Sequence, residues 1–302
     1  MTLVHEALYY ATVDEFLTGT LDFVHSGSGP TLVAVPQPRL GLLQASLGAT
    51  SGVSYVDMAV EGRNPARILP WVLGAFADAH PGPVRMVGES IYAGRTEAEL
   101  GPCVQHEALI NLAFADRSVS ILCSYDTSQL AHVLPFAERT HPVLVSSGHR
   151  RPSPAYTEPA QVVAMVNRPL PEPARIDERL VFDLQGLAGV RRLVAEHALA
   201  AGLVPERVDD LQLAVTEICT NAVVHDGDGL GTLRLWTEDD LVVCEIRGAG
   251  QISDIMAGRL LPSPDRPHGR GLLMANRLCD LVQTHTGPTG TRTRLSMRLS
   301  AN

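Results

Sequence analysis

Lysine is absent from this chain of 302 residues, so all 24 of its basic residues are arginines. A Walker-type phosphate loop, a typical protein kinase and a pyridoxal enzyme each depend on a lysine, so these three classes are excluded. Acidic residues outnumber basic ones by 33 to 24, and the net charge of -9 argues against a nucleic-acid-binding surface. We therefore expect no direct nucleic-acid partner.

Paired cysteines and long apolar runs are also absent. None of the five cysteines forms a C-x-x-C pair, which argues against a zinc cluster. Their odd number, without a signal peptide, predicts a reducing, cytoplasmic location. No uninterrupted apolar run approaches the about 18 residues of a membrane span, so we expect no membrane association.

Strand-like and helix-like segments alternate from His5 to about Tyr156. This alternation predicts an α/β domain with a mostly parallel sheet covered on both faces. The predicted strands are 31–35, 53–58, 84–87 and 119–123. The predicted helices are 14–24, 40–47, 68–79, 102–114 and 128–137, and Pro102 is expected in a first helical turn.

Proline is dense between Arg150 and Ile176, which favours an exposed and fairly stiff linker. We therefore divide the chain into a first domain at 1–150, a linker at 151–177 and a second domain at 178–302. The second domain is predicted to have the order β-α-α-β-β-loop-α-β-β, an α+β sandwich with helices on one face of an antiparallel sheet. Its predicted strands are 180–184, 232–236, 241–246, 281–285 and 291–299. Its predicted helices are 187–201, a helix with Pro205 in its first turn that is stopped by Gly227 and Gly229, and 269–279.

The helix that is stopped by Gly227 and Gly229 carries two patterns at helical spacing. An apolar stripe is formed by Leu211, Val215, Ile218 and Ala222. A neighbouring face carries Glu217, Asn221 and His225, each four residues from the last. A carboxylate and a carboxamide one turn apart could serve as a base and a metal-phosphate ligand, although an isolated E-x-x-x-N pair is more often a solvated polar face.

A second candidate motif is HGRGLL at 268–273, where Gly269 and Gly271 stand at a predicted helix start. Exposed backbone N–H groups and the helix dipole favour phosphate there, and Arg270 could add a charged contact. Taken alone, the motif is also compatible with a simple tight turn. The irregular segment 248–268 before it is long enough to act as a lid.

The order of these features resembles the ATPase domain of the GHKL superfamily (the HATPase_c type), and most of all the anti-sigma-factor serine kinases, over about residues 178–300. The resemblance implies that Glu217 is the general base and that Asn221 holds Mg²⁺. It also implies that ATP is bound with the help of Gly250, Gly269, Gly271, Gly290 and Thr291.

One position departs from the GHKL pattern. The family normally has an aspartate in a D-x-G box that accepts a hydrogen bond from the adenine amino group, and here Gly248 stands in its place. A buried donor without an acceptor costs about 1–3 kcal/mol, or a roughly ten- to hundred-fold loss of affinity. Asp254, six residues further on, is the candidate substitute.

The first domain resembles the MEDS sensory domain of DcmR-type bacterial regulators over about residues 5–145. The resemblance is carried by HEALYYATVDEFL near the start, HEALIN at 106–111, CSYD at 123–126 and HPVL at 141–144. It implies a small-molecule sensor with a nucleotide-hydrolase-like α/β core. Candidate ligand contacts are His5, Cys103, His106, Cys123, Tyr125 and His141, although lone histidines are more often capping or core residues and a buried cysteine more often packs as a small apolar residue.

The combination predicts a cytoplasmic regulator that binds and inhibits a sigma factor through its second domain, tuned by a signal at its first domain. If competent as a kinase, it would phosphorylate a serine on a STAS-type anti-anti-sigma partner. The alternative is a catalytically inactive binding module with a degenerate ATP site that acts by partner switching only. A stand-alone histidine kinase fits less well, because His197 lies on the first helix of the ATPase-like domain itself. A homodimer stays open, as do the identities of the sigma factor and the signal.

Overall fold

The structure is a computed structural model, and it describes residues 3–48, 50, 52–224, 229–261 and 270–299. The chain forms two compact units, Met1–Val166 and Asn167–Asn302. The first is an α/β unit and the second an α+β unit, so the predicted fold class is confirmed. Within the described residues, no helix is both long and apolar enough to cross a membrane.

The first unit alternates strands and helices along most of its length. Its elements, in chain order, are β1 (Val4–Tyr10), α1 (Val13–His25), β2 (Thr31–Val35), α2 (Arg39–Leu47), β3 (Val53–Asp57), α3 (Met58–Glu61), a 3-10 turn (Pro65–Arg67), a π-helical segment (Ile68–Leu73), α4 (Gly74–Ala79), β4 (Val84–Gly88), α5 (Glu97–Ala113), β5 (Val119–Asp126), α6 (Leu134–Thr140), β6 (Val143–Ser146), β7 (His149–Pro152) and α7 (Pro159–Val166).

The strands of the first unit form one sheet in the order β3-β2-β4-β5-β1-β6-β7. Six strands are parallel, and the edge strand β7 runs antiparallel to β6. In the register of β1 and β5, His5 lies opposite Ile121 and Ala7 opposite Cys123, so His5 and Cys123 share a face. The other face of the sheet packs against α1 and α2 in an apolar core.

Two helices begin well away from their predicted starts. Helix α5 begins at Glu97 instead of Pro102, because Glu99 accepts a hydrogen bond from the backbone N–H of Thr96 and caps the helix earlier. Helix α6 begins at Leu134 instead of residue 128, since the Asp126 carboxylate binds the backbone and hydroxyl of Ser128 and fixes a turn there.

The proline-rich segment predicted as a linker at 151–177 is folded in this structure. Its first part contains the end of β7 and helix α7, which packs on α5 in the first unit. Its second part belongs to the second unit, where Asn167 hydrogen-bonds to both backbone groups of Thr286. The division therefore falls at Val166 and Asn167, inside the predicted linker, because buried contacts hold each half to its own unit.

The second unit has the predicted element order. Its elements are β8 (Glu178–Phe182), α8 (Leu187–Ala200), α9 (Pro205–Val224), β9 (Gly231–Glu238), β10 (Leu241–Gly248), α10 (Arg270–Leu278), β11 (Leu281–Gly287) and β12 (Gly290–Arg298). The strands form an antiparallel sheet in the order β11-β12-β10-β9-β8. Residues of α8, α9 and α10 pack on one face of it in a single apolar core.

The opposite face of this sheet is polar and rich in arginine. Glu245 of β10 is fully buried there, between its cross-strand partners Arg234 and Arg294. Arg247 and Arg292 also contact its carboxylate, at 3.0 and 3.6 Å. We call Arg234, Arg247, Arg292 and Arg294 the arginine group. Three of them also bind Glu172, which precedes the sheet in the chain.

Candidate functional site

Helix α9 positions the two residues expected to carry chemistry in the second unit. The predicted apolar stripe on this helix is buried, with Leu211, Val215 and Ile218 in the core between α9 and the sheet. Packing of that stripe fixes the rotation of the helix. Glu217 and Asn221 are consequently half-buried, at the border of the core.

The start of α10 lies directly against Glu217 and Asn221. A Cβ atom on Gly271 would stand 2.6 Å from Asn221 Nδ2 and 3.1 Å from Glu217 Oε2. A side chain at this position would require the ends of the Asn221 and Glu217 side chains to move. The structure therefore brings these three predicted site residues together, with the first turn of α10 beside the carboxylate and the amide.

Three further predicted residues meet at the other end of the site. Gly290 has a φ of +105°, and a Cβ there would stand 2.1 Å from the carbonyl oxygen of Gly248, so glycine is required at this turn. The hydroxyl of Thr291 donates to the carbonyl of Gly250 at 2.7 Å. The Gly-Thr pair thus holds the segment that follows β10 against the start of β12.

Gly248, where the GHKL pattern has its adenine-binding aspartate, is packed against helix α9. A Cβ at this position would stand 2.9 Å from Ala222 Cβ and 3.1 Å from both Ala222 Cα and its carbonyl oxygen. A side chain at 248 therefore requires α9 or β10 to shift. Strand β10 and helix α9 are so close at Gly248 that there is no space for an aspartate side chain.

Asp254 is exposed, and its carboxylate accepts a hydrogen bond from the backbone N–H of Met256 at 2.9 Å. It caps its own turn, and its role as a substitute adenine acceptor stays a prediction. Arg270 is exposed as the first residue of α10. Gly269 and His225 lie outside the described residues.

A second group of functional side chains lies in the first unit, between the sheet and α5. We call it the His-Glu-Cys cluster; it consists of His5, Glu107, Cys123 and His141, all buried, with one potential ligand atom from each lying within 4.8 Å of the others. Nε2 of His5 is 3.5 Å from Glu107 Oε2, and Nε2 of His141 is 3.4 Å from the same oxygen. Cys123 Sγ lies 3.5 Å from His5 Nε2.

Burial and mutual contacts shift the pKa values in this cluster. Burial and the neighbouring His141 lower the pKa of His5 to about 4. Burial acts to raise the pKa of Glu107, but the contacts with the imidazoles of His141 and His5 outweigh it and hold that pKa well below its usual range. Burial, with Glu107 nearby, raises the pKa of the Cys123 thiol. A carboxylate and a neutral imidazole therefore face each other in a site closed to solvent.

Only part of the predicted sensory set belongs to this cluster. The ring of Tyr125 meets His141 edge-on at 5.5 Å, whereas Cys103 is buried next to the carbonyl of Ser90 and His106 is buried outside the four. Glu107 was not predicted as a candidate, although it lies in the HEALIN motif. The sequence feature that could have identified Glu107 is its spacing, because Cys103, Glu107 and Asn111 recur every four residues on one face of α5.

Another polar group lies at the carboxyl ends of the parallel strands. Arg39 pairs with Glu89 at 3.0 Å and with Asp126 at 2.8 Å, while the hydroxyl of Tyr10 donates to Glu89 at 3.0 Å. Glu89 is 1% exposed, and burial raises its pKa to about 7 despite the neighbouring arginine. Ligands of open α/β sheets commonly bind at this edge.

Two family models match the chain, one in each unit. Residues 4–142 match the family model of MEDS, the methanogen/methylotroph DcmR sensory domain, and residues 180–297 match that of the histidine kinase-like ATPase domain. None of the curated proteins compared matches the chain.

Two solved structures are similar to part of the chain. One contains the RsbU and RsbW domains of a Mycobacterium tuberculosis protein, with 21% identity, a TM-score of 0.32, and coverage of 41% of this chain and 33% of that one. The other is the histidine kinase AdeS of Acinetobacter baumannii, with 12% identity, a TM-score of 0.25, and coverage of 41% and 68%. The chain thus spans about a third of the first structure's length.

Proposed function

We propose that this chain, which joins a MEDS domain to a histidine kinase-like ATPase domain, is a cytoplasmic partner-switching regulator of transcription. In this proposal the second domain binds and inhibits a sigma factor, and the MEDS domain responds to a signal that biases this binding. ATP-dependent phosphorylation of a serine on a STAS-type anti-anti-sigma partner would release that partner and free the ATPase-like domain to hold the sigma factor.

The observation that carries the nucleotide part of the proposal is the contact of Gly271 with Glu217 and Asn221. It brings the backbone of the first turn of α10 directly against a carboxylate and an amide. Amide and carboxylate oxygens suit Mg²⁺, and the first turn of a helix suits phosphate. The phosphate end of the site therefore fits a magnesium nucleotide.

Each residue has a distinct role in phosphoryl transfer, which depends mainly on positioning and electrostatics. Asn221 would hold the magnesium ion, which neutralises charge on the phosphates when bound. Glu217 would accept the proton of the attacking serine hydroxyl. The first turn of α10, at Gly271, would present backbone N–H groups to the phosphate oxygens.

The first test is titration of the full chain with Mg-ATP by calorimetry. We expect measurable binding that Asn221→Ala reduces at least tenfold, while Gln212→Ala, an amide on the same helix that bonds instead to the carbonyl of Arg191, leaves it unchanged. Glu217→Gln should retain binding but lose transfer to STAS-domain proteins of the source bacterium. Equal ATP affinity in the Asn221→Ala variant would contradict this site.

The packing of Gly248 on Ala222 favours a second candidate, a binding module that controls its partners without catalysis. The single change Gly248→Asp cannot separate the candidates, because its Cβ would collide with α9. The double change Gly248→Asp with Ala222→Gly removes the nearest atom, leaving contacts of 3.1 Å to the helix backbone. A gain in ATP affinity in the double variant supports a nucleotide site that lacks only its adenine acceptor.

If neither the wild type nor the double variant binds millimolar ATP, the binding module is the better account. Sigma-factor capture should then be tested with and without nucleotide, since partner switching without ATP predicts equal capture in both. Loss of sigma binding altogether would contradict both candidates.

A further inference from the structure

The His-Glu-Cys cluster of the first unit has the chemistry of a metal site, and it is independent of the ATP site proposed above. Its donors are two imidazole nitrogens, a carboxylate oxygen and a thiol sulfur, and all four residues are buried. They come from β1, α5, β5 and the residue that directly follows α6, so only the folded domain assembles them. For this reason the usual spacing signature of a zinc site is missing from the sequence.

The separations within the cluster match those between the ligands of a tetrahedral ion. Zinc lies about 2.0–2.2 Å from nitrogen and oxygen and about 2.3 Å from sulfur, which places neighbouring ligand atoms about 3.3–3.7 Å apart in a tetrahedron. The observed distances are 3.5 Å from His5 to Glu107, 3.4 Å from His141 to Glu107, and 3.5 Å from Cys123 to His5. These three pairs already stand at ligand spacing, and all four ligand atoms lie within 4.8 Å of one another.

The hydrogen bonds around the two imidazoles orient them as metal ligands. The amide nitrogen of Asn111 donates to the carbonyl of Thr140 at 2.8 Å, so its oxygen is free to accept from His5 Nδ1 at 3.1 Å. Likewise, His141 Nδ1 donates to the carbonyl of Ala137 at 2.9 Å. Both Nδ1 atoms therefore carry hydrogen, and both Nε2 lone pairs point into the cluster.

These orientations make the centre of the cluster electron-rich, so that a positive charge there would be stabilised. Two nitrogen lone pairs face one carboxylate oxygen of Glu107, whose other oxygen accepts a hydrogen bond from Ser90. One proton could bridge only one of the two nitrogen–oxygen pairs. A divalent cation would satisfy both, together with the sulfur of Cys123 once its proton is released.

We propose that His5, Glu107, Cys123 and His141 bind one divalent ion of the zinc class. Four protein ligands leave no open coordination position, so the site is structural or metal-sensing and not hydrolytic. The ion would fix the first strand and the start of β6 against α5. Zinc is favoured over magnesium or calcium because nitrogen and sulfur donors select the softer ion.

The test uses the full chain, stripped with a chelator and then titrated with Co²⁺ as a spectroscopic probe. We expect saturation at one ion per chain, with the strong visible bands of tetrahedral cobalt and a thiolate-to-cobalt charge-transfer band. Zinc should displace the cobalt and raise the thermal unfolding temperature of the stripped protein.

Two cysteine variants provide matched controls on this spectrum. Cys123→Ala should lose the charge-transfer band and bind at least tenfold more weakly. Cys103→Ala, also buried but outside the cluster, should keep both band and stoichiometry. Asn111→Ala, which removes the support of His5, should lower zinc affinity about ten- to hundred-fold.

The wild-type titration decides the proposal even if a variant fails to fold. If stripped wild-type protein shows no cobalt bands and no stabilisation by zinc, the cluster is only a hydrogen-bonded network and the proposal is overturned. A charge-transfer band that persists in Cys123→Ala but disappears in Cys103→Ala would also overturn it.

Discussion

Replacing Glu245 by glutamine should strongly destabilise the second unit. The substitution keeps the shape of the side chain and removes its charge. The fully buried carboxylate contacts all four members of the arginine group, with Arg294 at 2.8 Å and Arg247 at 3.0 Å. Burial acts to raise the pKa of Glu245, but hydrogen bonds from Arg294, Arg247 and Arg234 outweigh it and lower that pKa.

The expected magnitude follows from what the substitution leaves behind. Arg234 and Arg294 are only 7% and 9% exposed, so their guanidinium groups would lose their central countercharge inside the protein. Removing one partner of a buried ion pair costs about 3–5 kcal/mol. With an m-value of about 2 kcal/mol per molar urea, the unfolding midpoint should fall by about 2 M.

The chain offers a direct assay and a matched control. It has two tryptophans, one in each unit, so a Trp71→Phe background leaves Trp236 as the reporter of the second unit. Trp236 is buried, with the guanidinium of Arg294 5.0 Å from its ring centre. The control is Glu172→Gln, since Glu172 contacts three of the same arginines but is mostly exposed.

We expect the Glu172 control to change stability by no more than about 1 kcal/mol, because exposed ion pairs contribute little. Equal shifts in the Glu245 and Glu172 variants would refute the reasoning, and so would a Glu245→Gln effect below about 0.5 kcal/mol. The pH dependence of the stability difference between wild type and Glu245→Gln gives a further check. Because the folded pKa of Glu245 is lowered, its stabilising effect should be present at neutral pH and be lost as pH falls below about 4.5.

Three further predictions concern the turn at Gly290, the buried carboxyl group of Glu89 and the adenine end of the candidate ATP site. Gly290→Ala should cost about 3 kcal/mol or more in urea unfolding, against about 1 kcal/mol for Gly229→Ala, which also has positive φ but open space around it. Because ionisation of Glu89 weakens the folded state as pH rises from 4.5 to about 7, Glu89→Gln should raise the melting temperature at about pH 8 but not at about pH 4. Since Gly248 offers no carboxylate to adenine, Mg-GTP should bind within about tenfold of Mg-ATP in calorimetry, and a preference of a thousandfold for ATP would contradict this.

The fold of the second unit could be predicted from sequence because its signals are local. The apolar stripe of α9 and the hairpin between β9 and β10 follow helical and strand periods, and the structure shows both. Cys219, Cys244 and Cys279 are all in its core. The role of Glu245 could not be read in this way, since its partners are neighbours only through the pairing of separate strands.

The first unit shows where local reasoning ends. His5 and Cys123 were singled out as individual residues, but their distance depends on the pairing of β1 with β5, which are 118 residues apart at this contact. The first strand was not predicted, and Glu107 was not singled out because it lies on a buried face of α5. Sequence motifs therefore found three of the four cluster members, whereas the reason that they belong together comes from the sheet register.

The two ends of the candidate ATP site bear differently on the choice between kinase and binding module. At one end, Gly271 brings the backbone of the first turn of α10 directly against Glu217 and Asn221, and a binding module has no chemical need for that contact. At the other end, the approach of Gly248 to Ala222 removes the adenine acceptor, which costs about 1–3 kcal/mol in affinity but no catalytic group. A site altered only where it contacts adenine can still transfer phosphate once it is saturated with ATP, because the adenine ring does not take part in the chemistry. Weak nucleotide binding alone would therefore not argue for the binding module, whereas loss of transfer at saturating Mg-ATP would.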